Sequence, residues 1–315
     1  MIEIDSSRKL FREQIHLDMP DTQRQHHPAS YMVITDLDGT LLRANGTFSR
    51  TDLNTLKELG HRNILRVIAT GRSLFSANTV IPPDLPIDYL IFSSGAGIMH
   101  WKTQKLLITH NLASAEIRQA FELLHAYKLD FMLHYPIPDN HRFLYHDTMR
   151  HNPDFQRRYQ RYRQFAARLD LSKPLIQTAC QFVAIDPSPG KSSCYAVIQR
   201  HLPDLKVIRS TSPMDGISTW IEIFPATVSK GLAGDWVARQ HNVQTTATLA
   251  VGNDYNDLDV LDWAGRSIVV SNAPADLKQQ YQTTINSHDE NGFTESVTLW
   301  LEEAFPHASG TTGGK

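Results

Sequence analysis

The chain has 315 residues, of which 41% are hydrophobic and 20% charged, with a formal net charge of -2. A chain of that length supports one large or two ordinary domains, each with its own core. Nothing in so neutral a chain argues for nucleic acid or an anionic membrane as partner, whereas a phosphorylated small molecule needs only a locally positive pocket.

The two cysteines, Cys180 and Cys194, show neither metal-ligand nor disulfide-framework spacing. No stretch reaches the ~18 apolar residues of a membrane span. Residues 1–30 are polar, carry His26 and His27 without a metal pattern, and lack a signal-peptide core. They are expected to form a disordered arm, and the protein is expected to be cytoplasmic. The oligomeric state leaves no mark on the sequence.

In chain order, residues 31–35 form a short apolar run of the kind found in buried parallel strands. Residues 52–59 predict a helix with Leu53, Leu56 and Leu59 on one face, and 64–69 and 89–92 predict two more strands. This alternation predicts a doubly wound, Rossmann-like parallel sheet. The texture changes after Trp101. A helix at 114–127 is followed by a hairpin, 131–135 and 142–146, and a long helix at 154–170. That helix carries Phe155, Tyr159, Tyr162, Ala166 and Leu169 along one face. Its arginines (157, 158, 161, 163 and 168) read as a solvated face, from which one could reach an anionic substrate. Strands at 181–185 and 207–209 flank a helix at 191–200.

The first pattern is expected to resume near Trp220. A strand at 221–224, a helix at 229–240, a strand at 247–251, a helix at 257–264, a strand at 267–270 and a helix at 295–303 follow, with a flexible tail at 306–315. The expected organisation is an α/β core of residues 31–110 and 217–305 interrupted by a smaller α/β cap at 111–216.

Four segments carry chemistry, each expected at a strand end, the edge where open α/β sheets bind ligands. Asp36-Leu37-Asp38-Gly39-Thr40 places two carboxylates one residue apart, and Gly39 permits the sharp turn. One carboxylate suits nucleophilic attack on phosphorus and the other protonation of the leaving oxygen. Thr70-Gly71-Arg72 offers a hydroxyl, an amide and a guanidinium to phosphate oxygens. Lys230 would offset clustered negative charge. Gly252-Asn253-Asp254-Tyr255-Asn256-Asp257 is an oxygen-rich turn suited to magnesium. Each alone is also an ordinary capped turn or surface lysine; their order and placement together favour a site.

With Ser94-Gly95-Ala96, Val270-Ser271-Asn272-Ala273 and Asn291-Gly292, these segments resemble the haloacid dehalogenase superfamily of phosphatases. The similarity is to its Cof-like, sucrose-phosphatase-like branch, which has a large α/β cap between the second and third motifs. It covers about residues 31–303. The resemblance implies hydrolysis of a small phosphate monoester, such as a sugar phosphate, through an aspartyl-phosphate. It implies that Asp36 is the nucleophile and a Mg2+ ligand, and that Asp38 is the general acid and then base, with its carbonyl on the metal. Thr70, Gly71 and Lys230 would hold the phosphoryl group, with Arg72, Ser94 and Gly95 near the substrate. Asn253, Asp254 and Asp257 would complete the metal site.

Asn253 stands where the family usually has aspartate; either its amide oxygen ligates without charge or Asp254 takes over, and Asp257 is the more secure contributor. Ser94 stands where asparagine is common. A phosphosugar mutase and a catalytically weak binding protein are the alternatives, the latter supported by Asn253 alone. His134 and Tyr135, at a cap strand end, are candidate specificity residues against the plainer reading of a cap-interior pair.

Overall fold

The computed structural model describes residues 29–305. The expected arm, apart from Ala29 and Ser30, and the expected tail lie outside the described residues. Along the chain, β1 (Tyr31–Thr35), β2 (Ile64–Ala69), β3 (Tyr89–Phe92), β4 (Gly97–His100) and β5 (Lys105–Thr109) come first. An insert follows with β6 (Leu112–Ala113), β7 (Asp130–His134), β8 (Phe143–His146), β9 (Ala166–Arg168), β10 (Thr178–Ala179), β11 (Gln181–Asp186), β12 (Leu205–Thr211) and β13 (Thr219–Pro225). The chain then adds β14 (Thr248–Gly252), β15 (Arg266–Val269) and β16 (Gln282–Thr283).

The first sheet has the order β16-β15-β14-β1-β2-β3-β4-β5 and is parallel except for β4 and β5. Its central strand shows why it reads as an unbroken apolar run. Val33 packs with Leu56 and Leu59 of helix Arg50–His61 and Trp300 of helix Gly292–Ala304. Met32 and Ile34 pack on the opposite face with Ala233, Trp236 and Val237 of helix Lys230–Gln240. Both faces are covered, so Met32, Val33 and Ile34 are all apolar and the carboxyl edge is the free surface.

The second sheet has the order β12-β13-β11-β7-β8-β9 and is antiparallel except for β8–β9. Strand alternation splits it cleanly. Phe131, Leu133, Phe182, Ala184, Ile221 and Ile223 face helices Ser114–Ala126 and Tyr195–His201. His134, Gln181, Val183, Trp220 and Glu222 face a cavity above the first sheet.

Three expectations are corrected. The strand at 221–224 does not return the chain to the first sheet: β13 pairs with β11 and β12, so the insert runs on to Pro225. An apolar run does not state its partner, and pairing on both sides claims this one. The long helix stops at Tyr162, because 166–168 forms an edge strand beside β8 and tertiary pairing overrides helical propensity. The segment 191–200 begins as a single 3-10 turn, with the helix proper at Tyr195–His201.

Gly95 has φ +106°, and a Cβ there would lie 2.3 Å from the Ser229 carbonyl oxygen. Only glycine lets the turn after β3 press against the start of helix Lys230–Gln240. A Cβ on Gly71 would meet nothing closer than 3.6 Å. Gly95→Ala is therefore expected to lower unfolding free energy by about 2–4 kcal/mol, and Gly71→Ala by less than about 1 kcal/mol, in urea titrations.

Candidate active site

The carboxyl edge of the first sheet brings three of the four segments together directly. Asp36 and Asp38 follow β1, Thr70 to Arg72 follow β2, and Asn253 to Asp257 follow β14. Gly39, at φ +75°, makes the expected turn. Lys230 arrives from elsewhere. It opens helix Lys230–Gln240 after the last insert strand, with Ser229 Oγ capping the helix by accepting from Leu232 N at 3.0 Å. The third segment thus follows an insert strand, not a first-sheet strand as expected.

Lys230 is fully buried, and its Nζ donates to Asp36 Oδ1 and Asp257 Oδ1, both at 2.6 Å. Burial disfavours the ammonium, but the Asp257 and Asp36 carboxylates more than offset this and raise its pKa above the ordinary lysine value. Burial pushes the Asp36 carboxyl up to about 8; Lys230 pulls it down, while Asp257 and Asp38 add to the rise. The cluster holds more carboxylate than its one ammonium balances.

Asp257 does not line the cavity. Its Oδ1 is on Lys230, and its Oδ2 accepts from the amides of Asn253 at 2.9 Å and Asp254 at 3.1 Å. This residue, expected among the metal ligands, holds Lys230 and the turn. Asp254 does line the cavity, but its carboxylate accepts from Thr211 N at 2.9 Å and Thr211 Oγ1 at 3.2 Å, tying the turn to β12. Asn253 lines the cavity too, and its Oδ1 accepts from Thr40 Oγ1 at 3.0 Å with a further lone pair to spare.

Asp38 is exposed to the cavity and held by Arg72 in a two-pronged pair, Nε to Oδ2 and Nη2 to Oδ1 each at 2.7 Å. Burial disfavours the Arg72 guanidinium, but the Asp38 carboxylate outweighs it and raises its pKa. Thr70 Oγ1 accepts from Arg72 N at 3.1 Å, which leaves its hydroxyl hydrogen for a ligand. Ser94 and Gly95 do not line the cavity. Gly95 is pressed on Ser229, and Ser94 is fully buried at φ 55°, its Oγ without a partner, beneath Gly71.

The cavity encloses about 510 Å³ between the two sheets, a volume suited to a small molecule. Its upper wall comes from the insert: His134, Asn140, Arg158, Gln181, Trp220 and Glu222. Tyr135 does not line it, whereas His134 does. Gln181 and Glu222 went unremarked in the sequence, although a polar residue inside each apolar strand was the available signal. Asn256, whose Nδ2 would lie 3.8 Å from a Cβ on Gly71, also lines the cavity.

Residues 33–296 match the model of the haloacid dehalogenase-like hydrolases, and the chain belongs to that family. It is similar to the 5-amino-6-(5-phospho-D-ribitylamino)uracil phosphatase YwtE of Bacillus subtilis, at 25% identity over 82% of this chain and 94% of that one. It is likewise similar to the HMP-PP phosphatase of Yersinia pseudotuberculosis, at 23% identity over 86% and 95%. The solved structure of the HAD subclass IIB sugar phosphatase BT4131 superposes with a TM-score of 0.68 at 14% identity, covering 86% of this chain and 98% of that one. The chain is thus an enzyme of the phosphoric monoester hydrolase class.

Removing the ammonium would strand two buried carboxylates. Lys230→Met is expected to destabilise the fold by about 3–5 kcal/mol in chemical denaturation, and adding Asp257→Asn to recover part of the loss. Equal stability of Lys230→Met and wild type would contradict this account.

Proposed function

We propose that the chain hydrolyses a small phosphate monoester through a covalent phosphate on Asp36. The observation that carries this reading is the convergence on one cavity of the Lys230-bound Asp36 carboxylate, the donors of Thr70 and Gly71, and Asp38. The relatives' names point the same way, since they act on small phosphorylated compounds. A sugar phosphate or similar metabolite fits the cavity.

Asp36 attacks phosphorus and the ester P–O bond breaks, the leaving oxygen taking a proton from Asp38. Asp38 then withdraws a proton from water, which attacks the acyl phosphate and frees Asp36 and inorganic phosphate. Thr70 and the Gly71 amide orient the phosphoryl oxygens, and Lys230 offsets charge on the group in transfer. The two-pronged contact with Arg72 orients the Asp38 carboxyl, and it must open for Asp38 to exchange a proton with the leaving group. The insert acts as a cap that excludes water from the first step.

The donor set fits a hard divalent cation, which we take to be Mg2+. Asp36, Asp38 and the Asn253 amide oxygen would hold it, and the excess of carboxylate at Asp36 is the charge it would offset. When bound, the ion supplies Lewis-acid stabilisation of phosphoryl charge. The free thiols of Cys180 and Cys194 suit a reducing cytoplasm. Among the described residues, no helix is long and apolar enough to cross a membrane.

Phosphate release from p-nitrophenyl phosphate and a panel of sugar phosphates, with and without Mg2+, tests the reading. Mg2+-dependent turnover is expected, lowered at least about 10³-fold in Asp36→Asn, the scale of losing a nucleophile. Turnover that survives the substitution would sink the mechanism. Isomerised product in excess of free phosphate would favour a mutase.

A pH experiment follows from the raised Asp36 pKa. A carboxyl raised from 3.8 to about 8 favours the folded state when protonated. Its stabilisation is full below about pH 4 and is lost as pH rises through about 8. In chelator, the wild-type Tm is expected to fall relative to Asp36→Asn between pH 5 and 8, and Mg2+ to reverse the gap. Parallel profiles for the two proteins would refute it.

A further inference from the structure

This inference rests on the phosphatase reading and concerns the part of the substrate that leaves. The insert face above the cavity carries polar atoms that no neighbour satisfies. His134 is 6% exposed, and its Nδ1 meets the Asn140 carbonyl oxygen at 2.7 Å. That nitrogen therefore carries the hydrogen, and the buried Nε2 is an acceptor without a partner. Burial pushes the His134 pKa down to about 3, so the ring is neutral. Asn140 donates its Nδ2 to Ser93 Oγ at 2.8 Å and to Cys180 Sγ at 3.4 Å, leaving Oδ1 as a second buried acceptor without a partner.

Arg158 stands between these acceptors and an aromatic wall. Its guanidinium lies 4.4 Å from the Trp220 ring centroid and 5.4 Å from that of Tyr162. The Nε is buried without an acceptor; the Glu222 and Asp154 carboxylates act on the guanidinium through space, but among the described residues none contacts it as a salt bridge. Glu222 shares this face, but its oxygens accept from Gln181 Nε2 at 3.1 Å and Ser210 Oγ at 3.5 Å. A guanidinium keeps its charge even where burial lowers its pKa, and with no carboxylate in direct contact its donors are open to an anion. The plate beneath it is fixed: Trp220 Nε1 donates to Asp154 Oδ2 at 2.7 Å, and Asp154 Oδ1 accepts from Ser212 Oγ at 2.9 Å.

We propose that Arg158 selects the leaving group, and that the substrate is a phosphorylated polyol whose far end carries a second anion. That anion, a carboxylate or a second phosphate, pairs with Arg158, while hydroxyls donate to His134 Nε2 and Asn140 Oδ1. A neutral polyol would satisfy the acceptors and bring no anion to the Arg158 donors.

The test compares kcat/KM for glucose 6-phosphate, 6-phosphogluconate and fructose 1,6-bisphosphate in wild type, Arg158→Gln and Arg158→Lys. The wild type is expected to prefer one of the two doubly anionic compounds over glucose 6-phosphate by about 10–100-fold, the scale of a hydrogen bond to a charged group. Which of the two it prefers distinguishes carboxylate from phosphate. Arg158→Gln should collapse that ratio toward one, and Arg158→Lys should restore part of it. Glucose 6-phosphate cleaved as well as either, or a Gln variant that lowers all three equally, would overturn the proposal. The wild-type ranking decides the matter even if a variant does not fold. Absence of hydrolysis of all three and of p-nitrophenyl phosphate would instead overturn the phosphatase reading.

Discussion

The site is organised around an ammonium group that water does not reach. Lys230 is held between Asp36 at the end of β1 and Asp257 in the turn after β14, two strands that lie side by side in the first sheet. Asp257 extends the same interaction into the backbone, because its second oxygen accepts two consecutive amides of that turn. A single buried cation thereby fixes the direction of the Asp36 carboxylate and the shape of the loop that presents Asn253. The helix bearing Lys230 is held in turn by the turn after β3, whose Gly95 admits the Ser229 carbonyl where any side chain would collide. This arrangement leaves negative charge in excess, a destabilising feature of the fold that serves the binding of cationic partners.

The two sheets meet through few polar contacts. Asn140 of the insert donates to Ser93, and Asp254 of the first sheet's edge accepts from Thr211 of the insert. Each hydrogen bond has a net worth of about 1 kcal/mol, small beside the apolar cores on either side. Apolar contact joins them as well, since Ile137, Cys180 and Ile208 of the insert belong to the same buried cluster as Phe92 of β3. Asp254 gives this junction a chemical address, since it lies one residue from Asn253 in the same turn. Its carboxylate both lines the cavity and makes the contact with the insert.

Much of this was legible in the sequence, and the parts that were not share a cause. The runs at 31–35, 64–69 and 89–92 announce themselves because both faces of those strands are buried. The hairpin formed by β7 and β8 was equally plain. The acid pair and Gly39 turn were visible because they depend on adjacent residues. By contrast, 219–225 reads the same in either sheet, and only its pairing with β11 and β12 decides. β4 and β5 were missed because they extend the sheet antiparallel, and β5 is half-exposed. A one-dimensional reading of Asp254 and Asp257 cannot show that Thr211 binds the first carboxylate and Lys230 the second.

The division of labour between the sheets follows from their periodicities. The first sheet is covered on both faces, so its chemistry is confined to the strand ends, where few positions are available. The insert sheet has one face on helices and the other on the cavity, and alternation lets core and recognition share a strand. Phe182 and Ile221 pack inward while Gln181, Trp220 and Glu222 turn to the ligand space. Residues on the second set can change without opening the first, so leaving-group preference can drift while the Asp36–Lys230–Asp257 cluster stays constant. Glu222 is where the two meet. One of its oxygens would lie 4.0 Å from a Cβ on Gly71, so the recognition face reaches the phosphate loop itself. Substitutions there would alter binding and chemistry together, and would be felt at Arg158, whose charge acts on Glu222.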